Sequence, residues 1–320
     1  MKELVIVKNL IKHFNASKGL FKAKTETVYA VNNISFSIQK GETLSLVGES
    51  GCGKSTVGKC LIGLEKPTSG EIIIDGTNTT TATKKDIKNL RKKVQIIFQN
   101  PYSSLNPKMT VEEILKEPFI INTNLSKNEI KNELSTLLDI TGLSKNFLSR
   151  YPHEFSGGQR QRIGIARALA LRPEFIIADE PVSALDVSVQ AQILNLLQDL
   201  KKELKLTYLF ISHDLSVVNY ISDRIAVMYL GEIVETASSD EICYHPKHPY
   251  TRILLDSAPH INKSGSKKII LKGDLPSPHN LPDGCKFHTR CPMAFDKCRS
   301  VSPHTKLLEN NHCVKCHLYG

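Results

Sequence analysis

Gly48-Glu49-Ser50-Gly51-Cys52-Gly53-Lys54-Ser55-Thr56 fits the pattern G-x-x-x-x-G-K-S/T, and its flanks give the match meaning. Ahead of it, Thr43-Leu44-Ser45-Leu46-Val47 is a short apolar run that reads as a buried strand. Behind it, Val57, Leu61, Ile62 and Leu64 fit the inner face of a helix. A strand feeding a glycine-rich turn that opens a helix is the geometry of a phosphate-cradling loop. Small residues let several backbone N–H groups converge on one anion, and the helix N-terminus adds partial positive charge. Lys54 is then placed to reach the β- and γ-phosphates, and the Ser55 hydroxyl to bind Mg²⁺. This stretch predicts a nucleotide-binding loop.

Composition sets the frame. At 320 residues the chain buries a full core, as one large domain or two modest ones. No run of apolar residues is long enough to span a bilayer, and Met1-Lys2-Glu3-Leu4-Val5-Ile6-Val7-Lys8 lacks the apolar stretch of a signal peptide. A cytosolic chain that does any membrane work through a partner is expected. The formal charge of +10 admits nucleic acid or an anionic lipid surface as partner. The basic residues are spread, however, and the densest run (Lys84, Lys85, Lys88, Arg91, Lys92, Lys93) reads as a solvated face. Five of the eight cysteines, Cys285, Cys291, Cys298, Cys313 and Cys316, crowd the last 36 positions. In a cytosolic chain such crowding points to metal or iron–sulfur binding before disulfides.

Taken in order, residues 3 to 47 read as strand-rich, with Ile34, Phe36 and Ile38 alternating against Ser35, Ser37 and Gln39. Tyr29 lies 25 positions before Lys54, and spacing leaves two readings open, a base-stacking aromatic or a half-buried strand residue. Strands are expected at 71–75 and 94–98 and a short basic helix at 84–91, with a proline-marked loop at 99–107 and helix from 110 to 147. Ser156 caps a helix that runs to about Leu171. Phe175-Ile176-Ile177-Ala178-Asp179-Glu180 is an apolar strand ending in two acids, and packing explains the apolar residues but not the acids. A helix from Val187 to Leu204 buries Ile193, Leu197, Leu200 and Leu204, and Tyr208 to Ser212 forms a strand ending at His213-Asp214. Strands alternating with helices indicate an α/β fold with a mainly parallel sheet. Eight of the eleven histidines and eight of the fifteen prolines lie from His245 onward, which places a boundary there: domain 1–244, then an irregular extension, 245–320.

The chemistry follows from what nucleotide hydrolysis needs, namely a cradle, a metal and a group that orients water. Asp179 is the acid to hold Mg²⁺ with Ser55, and Glu180 is the candidate general base. His213 stands where it either contacts the γ-phosphate or serves the structure. The joint series Ser156-Gly157-Gly158-Gln159, Asp179-Glu180, Ser183-Ala184-Leu185-Asp186 and His213 resembles the ATP-binding cassette (ABC) family, in its order and spacing. The resemblance implies a P-loop ATPase, hydrolysing ATP with Mg²⁺, with a parallel-sheet core, an antiparallel β subdomain and a helical subdomain over about residues 100–172. It implies that Gln99 touches Mg²⁺ and senses a membrane partner, that Tyr29 stacks on the base, and that Ser156 to Gln159 contact ATP held by the opposite subunit. Phe155 stands where leucine is commoner, leaving Ser-Gly-Gly intact. Cys52 occupies a variable position of the loop and reads as a small residue.

The tail narrows the resemblance. His245-Pro246-Lys247-His248-Pro249-Tyr250-Thr251 and Gly273-Asp274-Leu275-Pro276-Ser277-Pro278 are similar to the C-terminal signature of dipeptide and oligopeptide importer ATPases, closest to the dipeptide branch's second ATPase subunit. Expected partners are a homologous second ATP-binding subunit, forming a heterodimer, two transmembrane permease subunits and, indirectly, an extracytoplasmic peptide-binding protein; no nucleic acid is expected. The chain is expected at the cytoplasmic face of the membrane, as a peripheral subunit. The cysteines have the form C-x5-C-x6-C with Cys313 or Cys316 as fourth ligand, a set that holds a 4Fe–4S cluster, Zn²⁺, or nothing. Some members of the resembled family carry an iron–sulfur cluster here, which favours Cys285, Cys291, Cys298 and Cys316. The reading from another class is a soluble cassette ATPase acting on nucleic acid in repair or translation.

Overall fold

The structure, a computed structural model, describes residues 2–16, 26–257 and 276–320. Its first strands are β1 (Glu3–Ala16), β2 (Glu26–Gln39), β3 (Thr43–Val47), β4 (Ser69–Ile74), β5 (Thr77–Asn78) and β6 (Val94–Ile97). Then come β7 (Phe175–Asp179), β8 (Thr207–Ser212), β9 (Arg224–Tyr229), β10 (Glu232–Ser238), β11 (Lys306–Leu307) and β12 (Cys313–Val314). The helices begin with α1 (Lys54–Leu61), α2 (Lys84–Lys93), α3 (Pro101–Ser104), α4 (Val111–Asn122), α5 (Lys127–Thr141) and α6 (Gly157–Leu169). They continue with α7 (Val187–Leu204), α8 (Leu215–Ile221), α9 (Ser239–Tyr244), α10 (Pro249–Ser257) and α11 (Asp296–Ser300). Two units emerge, one of Met1–Thr81 with Ser212–Gly320, the other of Ala82–Ile211.

In the first unit β3 runs parallel to β9, from Leu44 opposite Arg224 to Val47 opposite Val227. All five residues of β3 are buried, which is why the strand reads as a continuous run rather than an alternation. β9 turns through Leu230 and Gly231, both at positive φ, into antiparallel β10. β10 then pairs with β12 (Glu235 opposite Val314), and β12 with β11, so the end of the chain is stitched to the sheet that carries the loop. A separate antiparallel sheet has the order β2-β1-β4-β5. α1 ends one residue before Ile62, and the chain reverses at Gly63 (φ +72°). Leu64 therefore lies beyond the helix and is 57% exposed, not on its inner face.

The second unit pairs β6, β7 and β8 in parallel, with α4, α5 and α6 packed on one another. The helix expected over 110–147 is two helices, each opened by a reciprocal capping box: Thr110 with Glu113 and Ser126 with Glu129. Gly142 in the left-handed conformation closes the second. The 99–107 loop contains one short helix, α3, because Asn100 accepts from the Tyr102 N–H and Pro101 takes the first helical position. α7 buries Ile193, Leu194, Leu197 and Leu200; Leu204, its last residue, is 44% exposed.

Candidate nucleotide site

In the first unit, β3 delivers the chain to Gly48 and α1 takes it up at Lys54. A Cβ on Gly48 would stand 2.1 Å from the Met228 carbonyl oxygen, and one on Gly53 2.1 Å from that of Ala30. Gly53 also has φ +106°, so backbone conformation and space both demand glycine. The walls of the loop are thus the end of β9 and the middle of β2, neither near it in sequence. Lys54 is buried, its Nζ donating to the carbonyl oxygens of Gly48 (2.8 Å) and Glu49 (2.9 Å). Burial pushes the Cys52 thiol up against the opposing Lys54 charge, so it is a protonated small side chain and not a ready nucleophile. Tyr29 is half-buried, its ring edge-on to His13 at 4.7 Å, and its N–H donates to the Pro278 carbonyl. His213, past the end of β8 in this unit, is exposed.

The second unit holds the acids. Asp179 closes β7 and is 6% exposed. Glu180 follows at φ +47°, its N–H extending the ladder to Ile211 and its carbonyl accepting from the Ser183 hydroxyl at 3.1 Å. A non-glycine residue in the left-handed region costs about 1–3 kcal/mol and is retained where surrounding structure fixes it, which is common at functional sites. Its carboxylate accepts from Gln99 Nε2 at 2.9 Å, so the glutamine and the candidate base meet. Ser156 caps α6, its Oγ accepting from the Gln159 N–H while Gln159 Oε1 accepts from the Ser156 N–H. Ser156 and Gly157 are exposed; Gly158 is buried, where a Cβ would stand 2.4 Å from Val189. Asp186 caps α7 by accepting from the Val189 N–H at 3.0 Å, and the adjoining Val187 is 82% exposed.

Two contacts to the loop were beyond sequence reasoning. Arg290, in the extension, places Nη1 2.9 and 3.1 Å from the two carboxylate oxygens of Glu49, and the Glu49 N–H donates to Tyr250 Oη at 2.9 Å. Tyr250 stood within the quoted tail motif, but nothing in the sequence ties either residue to Glu49. The cysteines lie near this region. Cys285, Cys291, Cys298 and Cys316 line one cavity with His248 and Phe287, while Cys313 sits on β12. Burial pushes the Cys285, Cys291 and Cys316 thiols up. Among the described residues no group of three or more His, Cys, Asp or Glu is placed to hold a metal ion. Among the described residues only the shared cavity speaks for the expected cluster. The Gly273–Leu275 part of the tail motif lies outside the described residues.

Comparison with known proteins gives two family matches: ABC transporter over residues 31–183, and the C-terminal region of oligopeptide/dipeptide transporters over residues 234–298. The oligopeptide transport ATP-binding protein AppF of Bacillus subtilis is 53% identical over 98% of this chain and 97% of its own length. The dipeptide transport ATP-binding protein DppF of Escherichia coli is 50% identical over 93% of this chain and 89% of its own. Among solved structures, the dimeric ATP-binding cassette MJ0796 bound to ADP and Pi superposes with a TM-score of 0.65 at 32% identity, over 73% of this chain and 98% of that one. These relatives are transport subunits, and nothing in them supports the nucleic-acid reading. The chain belongs to the oligopeptide/dipeptide transporter branch of the ABC transporter ATP-binding proteins.

Proposed function

We propose that the chain hydrolyses ATP to drive the import of dipeptides or oligopeptides. The observation that carries the ATPase reading is the Gln99–Glu180 hydrogen bond, which joins the carboxylate of a residue held at positive φ to a side chain the family reading assigns to metal and partner. The full-length similarity to peptide-transport subunits supports the cargo class.

In this reading the Gly48–Thr56 backbone and Lys54 bind the phosphates, Tyr29 stacks on the base and His213 contacts the γ-phosphate. Glu180 orients the attacking water and takes its proton, while Gln99 holds the Glu180 carboxylate in place. Ser55, Gln99 and Asp179 offer hydroxyl, amide and carboxylate oxygens, a donor set suited to Mg²⁺. The metal, when bound, neutralises phosphate charge. Ser156, Gly157, Gly158, Gln159 and Asp186 serve the ATP of a homologous partner subunit, and the exposure of Ser156, Gly157 and Val187 supports a partner there. Two transmembrane permease subunits complete a complex at the cytoplasmic face of the membrane, with peptide delivered by a binding protein outside it. Among the described residues no helix is long and apolar enough to cross a membrane, which supports the division of labour. We treat 1–244 as the ATP-binding domain, with its helical part at about 100–172, and 245–320 as the extension. For the cysteine-lined cavity, four thiols around one void suit a 4Fe–4S cluster. Ligation requires thiolates, so loading would release protons.

The test is Glu180→Gln in the assembled complex. MgATP binding is expected to persist while turnover falls roughly a hundredfold to ten-thousandfold. Turnover close to wild type would contradict the assignment.

A further inference from the structure

The phosphate loop carries a carboxylate of its own. Glu49 directly follows Gly48, and a negative side chain there opposes the binding of a polyanion unless it is neutralised. Lys54 does not neutralise it, since its ammonium turns to the Gly48 and Glu49 carbonyls. Arg290 does. Nη1 alone makes both contacts to the Glu49 carboxylate, at 2.9 and 3.1 Å. The Arg290 side chain is 7% exposed and that of Glu49 23%, so the pair is largely shielded from solvent screening.

The pair has a rigid mount. Arg290 Nη1 also reaches Tyr229 Oη at 3.5 Å. Tyr229, from the end of β9, Tyr250, from α10, and Phe287, from the extension, are fully buried and pack ring on ring at 4.7 to 5.3 Å between centroids. Tyr250 in turn accepts the Glu49 N–H at 2.9 Å. Both ends of Glu49, main chain and side chain, are thus held by residues more than two hundred positions away. A contact that only fastened the extension to the core could end on any surface; this one ends on the residue that sets the loop's charge and entry.

We propose that Arg290 is a positioning residue for nucleotide binding, cancelling the Glu49 charge and fixing the second residue of the phosphate loop, so that the C-terminal extension is part of the nucleotide site. The inference rests on the nucleotide-binding reading above. Loss of Arg290 leaves the Glu49 carboxylate unpaired beside the cradle, and the penalty falls on ATP affinity; removing Glu49's charge as well lifts it.

The test uses the full chain with Mg²⁺ and ATP bearing a fluorescent methylanthraniloyl label, with melting temperature followed in parallel. Arg290→Gln is expected to weaken binding roughly fivefold or more. Arg290→Lys is expected to keep most of the affinity, because one nitrogen makes both contacts. Arg290→Gln combined with Glu49→Gln is expected to recover most of the loss even where melting temperature stays low, an outcome that a purely structural staple would not give. Binding by Arg290→Gln equal to wild type, or a double variant as weak as the single, would overturn the proposal. Should Arg290→Gln fail to fold, the double variant decides, with affinity near wild type in favour and a roughly fivefold or greater loss against. A wild-type chain that binds no labelled ATP would overturn the nucleotide reading itself and the inference with it.

Discussion

Gly53 sits where two demands meet: φ +106°, and no space for a Cβ against the Ala30 carbonyl at 2.1 Å. Gly53→Ala must push back β2 or reshape the loop, at about 1–3 kcal/mol of stability. Loss of labelled-ATP binding together with a lower urea midpoint is the expected result, and unchanged binding would show that the loop tolerates the shift. The motif was legible in the sequence because phosphate binding constrains neighbouring residues. Its walls were not, because Ala30 and Met228 are ordinary strand residues whose carbonyls matter and whose side-chain types do not. Arg290 was hidden for a related reason: one arginine in an irregular segment carries no periodicity and no motif, and only the folded chain brings it to Glu49.

At the scale of elements, strands buried on both sides were the easiest to read. β3, β7 and β8 are continuous apolar runs with every residue buried, and each stands where the sequence placed it. Helix ends were harder: Leu64 continues a spacing that the backbone has already left, and Leu204, the last residue of α7, keeps the spacing but lies exposed. α10 was not foreseen, and its start depends on an interaction that spacing cannot show. His248 precedes Pro249, is fully buried, and its Nδ1 accepts the Tyr250 N–H at 3.1 Å, a role that requires a neutral ring. Glu235 on β10 takes the Lys247 and His248 N–H groups and pairs with His312 at 2.6 Å, binding α10 and the tail to the sheet. Burial drives the His248 pKa down to about 4, with Glu235 opposing. An unfolded histidine titrates near about 6.5, so the unfolded chain takes up the proton first. This contribution is therefore complete above about pH 6.5 and declines as pH falls toward 4, by roughly 3 kcal/mol in all. Urea midpoints compared at about pH 7.5 and about pH 5 should diverge less for His248→Asn than for wild type. An equal divergence would place the acid sensitivity elsewhere.

For the molecule as a whole, the family was readable from the order of its motifs, and similarity over 98% of the chain to a peptide-transport subunit agrees with it. The irregular extension shares a unit with the phosphate loop, is paired to β10 through β12, and reaches Glu49 through Arg290 and Tyr250. Four of its five cysteines line a cavity, although the described residues set no metal-ion site there. In the function we propose, the loop is one part of an ATP site that also draws on the acids after β7 and on a partner chain. Uptake of a labelled dipeptide by proteoliposomes holding the complete transporter, with this chain wild type or Glu180→Gln, tests that account most directly. We predict ATP-dependent uptake with wild type and a loss of roughly a hundredfold or more with the variant, the complex still assembling and binding nucleotide. Undiminished uptake with Glu180→Gln would contradict it.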